Sequence, residues 1–191
     1  MGIIMKTDTI AAISTAYSES GIGIIRISGE DAFQIADNIF FSRKPNFSLE
    51  NAKTYTIHYG FIADGDTVID EVLVSVMRAP KSYTAENVVE INCHGGILIL
   101  QKVMDLVIRN GARVAEPGEF TRRAFLNGRM DLSEAEAVMD LIQSKNEFAL
   151  QASLNQLKGS VSSVIKELRS KIIYEIAFIE SALDDPENYD T

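Results

Sequence analysis

The spacing of apolar residues changes period once along this chain, and that change constrains the fold more than any other feature. Up to about residue 117 short β-type runs alternate with helical runs, and from Asp131 onward almost everything reads as helix. The later part carries Leu154, Leu157, Val161, Val164/Ile165, Leu168, Ile172 and Ile176 at helical spacing, interrupted only at Gly159. Read as one helix from about residue 146 to 183, this run would be roughly 55 Å long at about 1.5 Å per residue. That exceeds the interior of a small domain, and two helices cannot bury such a stripe between themselves. The stripe therefore calls for a partner, either another subunit or more chain. The acidic ending "LDDPENYDT" stops abruptly, which gives the expectation of a chain cut from a longer protein.

The first part is expected to be α/β or α+β with a mixed, largely antiparallel sheet, and the second part all-α. "TIAAIS" and "GIGIIRIS" read as strands, and "GEDAFQIADNIF" as a helix with Phe33, Ile35/Ala36 and Ile39/Phe40 at helical spacing. "KTYTIHYGFIA" and "TVIDEVLVSVMR", separated by "DGD", form a hairpin by turn chemistry. "APKSYTAE" is a loop, "NVVEINCH" a strand, and "GGILILQKVMDLVIRNG" a helix stopped at Gly111, followed by the short strand "ARVA". Asp131 and Glu134 supply an N-cap and an acidic first turn for "DLSEAEAVMDLIQS", with Leu132, Ala135, Val138/Met139 and Ile142 on one face. The boundary is placed between residues 1–120 and 121–191.

Apolar residues make up 46% of the chain, enough for a real core, and the formal charge is −9 from 18 basic and 27 acidic residues. Bulk electrostatics would not draw a polyanion to such a chain. One cysteine excludes an intrachain disulfide and fits a reducing compartment. The N-terminus has no secretory pattern, and no apolar run reaches membrane-spanning length, so the expectation is a cytoplasmic protein.

"VVEINCHGG", residues 88–96, concentrates the chemistry. In strand geometry Val88, Glu90 and Asn92 share one face, while Val89, Ile91 and Cys93 share the other. Cys93 then behaves as a small buried hydrophobe rather than a nucleophile. No C-x-x-C or second cluster supports a metal. His94 shapes the turn into the helix or lines a cleft edge. Glu90 has two readings: a solvated carboxylate on an edge strand, or a carboxylate on a pocket wall that takes two parallel N–H donors from a planar heterocycle such as a pterin. Arg26, among isoleucines in "GIGIIRIS", either faces solvent or needs a carboxylate or a ligand. Arg122, Arg123 and Arg129 concentrate cations in "PGEFTRRAFLNGRMDL", either as surface residues of a helix and turn or, for at least one, over a cleft facing an anionic ligand. No G-x-x-x-x-G-K-[ST] occurs, and "LKGSVSS" is only a superficial echo of it.

Together "TDTIAAIST", "GIGIIRISG", "APKSYTAENVVEINCHGG" and "EPGEFTRRAFLNGRMDLSEAEAVMDLI" resemble the N-terminal part of the tRNA-modification GTPase family MnmE, also called TrmE. The resemblance runs from about residue 7 to 186 and is most specific over 117–142. It implies an N-terminal domain that forms a homodimer, binds 5-formyl-tetrahydrofolate or a related tetrahydrofolate, and is similar in fold to folate-binding domains of one-carbon enzymes. It also implies the start of a helical domain that is interrupted elsewhere by a G domain using GTP, potassium and magnesium. The full protein would act with MnmG (GidA) on C5 of the tRNA wobble uridine, adding an aminomethyl or carboxymethylaminomethyl group. The family's folate-contacting positions fall on Arg26, Glu90 and Arg129. Glu90 would hold the pterin edge, the arginines would hold the ring carbonyl or the glutamate tail in either assignment, and Tyr83 and His94 would be cleft neighbours. Without a P-loop this chain is expected to bind folate and dimerise but not to hydrolyse GTP. The competing expectations are a stand-alone folate-dependent aminomethyltransferase, for which no acid or base candidate stands out, and a pure dimerisation scaffold.

Overall fold

The computed structural model describes residues 8–184, with the backbone alone for residues 160–163. Two compact units divide between Arg129 and Met130. In the first, seven strands form one sheet: β1 (Ile10–Ile13), β2 (Ser20–Ser28), β3 (Phe40–Ser42), β4 (Thr56–Asp64), β5 (Thr67–Met77), β6 (Val88–Gly95) and β7 (Arg113–Val114). Their spatial order is β3-β4-β5-β6-β2-β1-β7, antiparallel throughout except for β1 with β7. The expected mixed, largely antiparallel sheet is present. Helices α1 (Ala32–Asp37), α2 (Ile97–Arg109) and α3 (Glu119–Leu126) complete this unit.

Strand alternation sorts the side chains. Ile25 and Ile27, Val72, Val74 and Val76, and Val89, Ile91 and Cys93 all enter one core, which α1 closes with Phe33, Ile35 and Ala36 and α2 with Leu100, Val103, Leu106 and Val107. The helix α2 stops where expected, with Asn110 as its cap and Gly111 at φ 112°. The "DGD" hairpin closes on Gly65 and Asp66, with Asp64 paired to Thr67 and Gly65 at φ 58°.

Two elements differ from the sequence expectation. The helix beginning in "GEDAFQIADNIF" ends at Asp37, and Phe40 instead pairs with Ile62 across β3 and β4. Ile39 and Phe40 are buried either way, so strand pairing satisfied backbone groups without losing apolar burial. The second difference lies in the helical unit. Its helices are α4 (Leu132–Gln143), α5 (Glu147–Leu157) and α6 (Ser160–Asp184), so the expected long helix is two helices. Gly159 sits at φ 72°, and its N–H donates to the Gln156 carbonyl, which ends α5 in a left-handed turn that a helical stripe does not reveal. The capping box is as anticipated: Asp131 accepts from the Glu134 N–H while Glu134 accepts from the Asp131 N–H. Along α6, Ile165, Leu168, Ile172 and Ile176 are about half exposed. Leu132, Met139 and Ile142 of α4 are also exposed. No helix among the described residues is long and apolar enough to cross a membrane.

Beyond a register shift between Ser20 and Gly23, the end of β2 approaches β6 so closely that a Cβ on Gly95 would overlap the Ser20 carbonyl and hydroxyl. Gly95→Ala is expected to cost about 1–3 kcal/mol, the penalty typical of overpacking, measured as a lower midpoint in urea unfolding with an unchanged slope.

Candidate functional site

The β2–β6 register sets Arg26 directly opposite Glu90, on the sheet face turned away from α1 and α2. Strand β6 lies between β5 and β2, so Glu90 is not on an edge strand. Nε of Arg26 donates to Glu90 Oε1 at 2.8 Å, and Nη2 reaches the same oxygen at 2.7 Å. The pair is therefore not the two-oxygen fork typical of arginine and carboxylate. Oε2 keeps its acceptor capacity, and no hydrogen bond to it is found among the described residues. The two side chains are 26% and 21% exposed, sheltered enough to strengthen the pair yet open to a ligand.

Aromatic rings hold the cation in place. The Arg26 guanidinium carbon lies 5.5 Å from the ring centroid of Tyr83 and 5.5 Å from that of Phe120. Tyr83 comes from the loop after β5, and Phe120 from the first turn of α3. The Tyr83 hydroxyl hydrogen-bonds Thr121 Oγ1 at 2.9 Å, tying loop to helix. The Arg129 guanidinium stands 5.0 Å from the same Tyr83 ring. Arg129 is exposed and makes no ion pair among the described residues. Arg26, Glu90 and Arg129 are thus brought together around Tyr83. Phe120 was not anticipated.

A brace of charges, also unanticipated, fixes the loop and α3 over this face. Arg123 is buried; it donates to the Asp8 carboxylate at 2.9 Å, to Glu86 at 3.2 Å and to Glu119 at 3.2 Å. Arg113 meets both oxygens of Glu119, at 3.1 and 2.7 Å. Glu86 also accepts from Ser28 at 2.7 Å, and Ser28 shares a hydrogen bond with Thr84. Asn127 donates to the Thr84 carbonyl, closing the loop against the end of α3. Hydrogen bonding from Arg113, supported by Arg123 and the Glu116 N–H, holds the Glu119 carboxyl down from its ordinary 4.5 to about 2 despite its burial. The Glu119/Arg123 spacing of four on a helix was the available signal, but such pairs usually sit in water.

Cys93 is buried, donates to the Gly23 carbonyl at 3.4 Å, and has its thiol pushed up to about 11 by burial and by the Asp70 carboxylate. That is a packing residue, as read from the strand pattern. His94 does not join the Arg26 site. Its Nδ1 contacts Asp70 Oδ1 at 2.7 Å and its N–H donates to Oδ2, with the imidazole pushed upward by that hydrogen bond. It lies four residues along β6 from Glu90, about 13 Å at strand rise. There it lines a separate open cavity of ≈430 Å³ with Tyr59, Glu71, Leu73 and Asn92. No group of metal-ligating side chains occurs among the described residues.

A carboxylate with one open oxygen, a caged cation and a cation with no ion pair among the described residues can together take a planar N–H donor edge and a separate anionic group. The family model for the GTP-binding protein TrmE N-terminus matches residues 9–129, and that for the MnmE helical domain matches 132–191. The tRNA modification GTPase MnmE of Lachnoclostridium phytofermentans is 55% identical over 184 residues, covering 96% of this chain and 40% of its own length. The proteins of that name from Enterococcus faecalis and Bacillus subtilis are 55% and 52% identical, over 96% and 94% of this chain. The chain thus spans about 40% of the length of these relatives.

Two outcomes test the brace and the thiol. Because Glu119 is held low, its contribution to stability is complete above pH 4.5 and is lost as pH falls toward about 2. Glu119→Gln should be less stable at pH 7 by on the order of 3 kcal/mol, and its melting temperature should fall less steeply than the wild type's between pH 4.5 and 2. A thiol reagent at pH 8 should leave Cys93 unmodified in the native protein and label it fully in guanidinium chloride.

Proposed function

This chain belongs to the MnmE (TrmE) family of tRNA modification GTPases, and from that premise we propose that its first unit binds a one-carbon tetrahydrofolate, of the 5-formyl-tetrahydrofolate type, at Arg26, Glu90 and Arg129. The observation that carries the reading is the single-oxygen pairing of Glu90 with Arg26. It leaves Oε2 as an acceptor for the 2-amino and N3 edge of a pterin, and the surrounding charges suit an anionic ligand that also carries a planar ring. When bound, the folate would supply the one-carbon unit; the chain's own residues position it, with Tyr83 and Phe120 limiting how far Arg26 can move.

Family membership extends the proposal beyond this site. The folate unit also dimerises, and the exposed Ile57, Tyr59 and Leu73 supply apolar surface for a second subunit. The stripe along α6 is covered by further helices of the helical domain. The whole protein hydrolyses GTP, with potassium and magnesium, in a G domain outside this chain. With MnmG (GidA) it installs an aminomethyl or carboxymethylaminomethyl group at C5 of the wobble uridine of tRNA, in the cytoplasm. A stand-alone aminomethyltransferase would need an acid or base beside the folate; the His94–Asp70 pair is the one oriented dyad near the sheet's open face among the described residues, and its distance from Glu90 argues against that role.

Isothermal titration with 5-formyl-tetrahydrofolate should give one site per chain. Glu90→Ala should weaken binding about 100-fold, corresponding to two charge-assisted hydrogen bonds. A folded protein that binds nothing, or a Glu90→Ala variant that binds as well as wild type, rules the reading out. A pure scaffold would instead sediment as a dimer and show no ligand dependence of its melting temperature.

A further inference from the structure

We infer that the His94–Asp70 pair makes the pairing of this chain with a second copy proton-linked: the two copies take up protons on His94 as they close over the open sheet face. This rests on the dimer reading above and adds a control to it.

The face itself suits a twofold contact. Across β3, β4 and β5, Phe41 pairs with Phe61, Phe61 with Glu71 and Tyr59 with Leu73, all on the side away from α1 and α2. Phe41, Ile57, Tyr59 and Leu73 are exposed there. A twofold contact sets one patch against itself, which favours a patch that carries both signs of charge. The Arg43 guanidinium stands 5.3 Å from the ring centroids of Tyr59 and Phe61 and has no ion pair among the described residues. Glu71 lies one strand away and accepts from the Tyr59 hydroxyl.

The ≈430 Å³ cavity opens on the same face, so Tyr59 and Leu73 belong to both. Asp70 is buried beside it and gives both oxygens to His94: Oδ1 to Nδ1 at 2.7 Å and Oδ2 to the main-chain N–H at 2.7 Å. The His94 side chain is 66% exposed against 7% for Asp70. The carboxylate is therefore already out of water, and the imidazole is not. Every charged group around the ring is acidic. Asp70 and Glu71 come from β5, and Glu19 precedes Ser20, which pairs with Gly95. The remaining neighbours are Gly21 and Ile22 of β2, Tyr59 of β4, and Asn92 and Cys93 of its own strand, with the uncharged first turn of α2 following.

Closing a second copy over this cavity removes the remaining water. With His94 protonated the pair is net neutral, and its attraction strengthens as the local dielectric falls. With His94 neutral, closure leaves the Asp70 carboxylate covered, uncompensated and next to Glu71, which is costly. The imidazolium also loses water, but it does so against a carboxylate 2.7 Å away. Closure therefore raises further a proton affinity that the Asp70 hydrogen bond has already raised. A group whose proton affinity is higher in the dimer stabilises it at low pH, and that contribution is lost as pH rises through the dimer's imidazole range.

Sedimentation equilibrium at pH 6 and pH 8.5 tests this. A tenfold preference for the protonated pair in each of two subunits makes the dissociation constant about 100-fold larger at pH 8.5. His94→Gln should give the same constant at both pH values. Leu73→Asp should be monomeric at both, which locates the contact on this face; if its melting temperature shows that it does not fold, Ile57→Asp replaces it. The ring proton resonances of His94 should titrate at higher pH in the wild-type dimer than in the folded monomeric variant, and this comparison stands even if His94→Gln does not fold. A dimer that the aspartate variants leave intact, a constant that ignores pH, or a pH dependence that survives His94→Gln overturns the proton linkage. A chain that is monomeric throughout overturns the dimer reading itself.

Discussion

The alignment of β2 with β6 puts Arg26 across from Glu90 in the middle of a seven-stranded sheet, and the character of the open face follows from that pairing. Strand geometry makes such an alignment strict: a slip of either strand by one residue would send its own charge, Arg26 or Glu90, into the apolar core and turn its own isoleucine, Ile25 or Ile91, outward. Neither charge tolerates that core, and neither isoleucine gains from the exchange. Two glycines allow close approaches near this pairing, Gly95 beyond the register shift between Ser20 and Gly23. Gly95 lies against the Ser20 backbone, and Gly23 lies under Leu100, where a Cβ would displace the side chain through which α2 closes the core. Core packing on one face and ion pairing on the other thus specify one register together.

The face carrying the pair is then partly covered. Helix packing cannot do this, because α1 and α2 both lie on the opposite side. A loop and a short helix do it instead. Charge holds them in place. Arg123, buried among Asp8, Glu86 and Glu119, joins the segment before β1, the loop and α3. Taking an arginine out of water is costly unless its donors are met, and here three carboxylates and the Asp8 carbonyl accept from Nη1 and Nη2. The result is a polar brace that sets the positions of Tyr83 and Phe120.

The alternation of apolar residues revealed β2, β5 and β6, and turn chemistry revealed the β4–β5 hairpin, because these depend on local spacing and on residues such as Gly65 that the turn requires. The opposite facing of Glu90 and Cys93 was legible for the same reason. What was not legible required knowledge of distant neighbours. Phe40 kept its burial while exchanging helix for strand, so its hydrophobicity carried no information about which it would choose. Gly159 fits a helical stripe in one dimension, and only its left-handed backbone shows that α5 ends there. Arg123 has the spacing of an ordinary surface pair with Glu119; its burial depends on Glu86 and Asp8, which lie 37 and 115 residues away. His94, the more conspicuous neighbour of Glu90 in sequence, is carried by strand rise to a different cavity and a different carboxylate.

The charge distribution bears on how an acidic chain would hold an anion at the proposed site. A net charge of −9 repels polyanions at long range, yet screening confines that repulsion to about 10 Å at ordinary ionic strength. Within that distance the local balance decides. Around Tyr83, Arg26 and Glu90 cancel, and Arg129 has no ion pair among the described residues. Arg123, although close in sequence, is consumed by its own carboxylates and adds nothing outward. One uncompensated cation beside one open carboxylate oxygen favours a small molecule that carries both an N–H edge and a negative group. It gives little hold on an extended phosphate backbone, which needs a row of such cations. In the proposed site, selectivity would lie in how few charges are left unpaired among the described residues, and the brace that consumes Arg123 contributes to that.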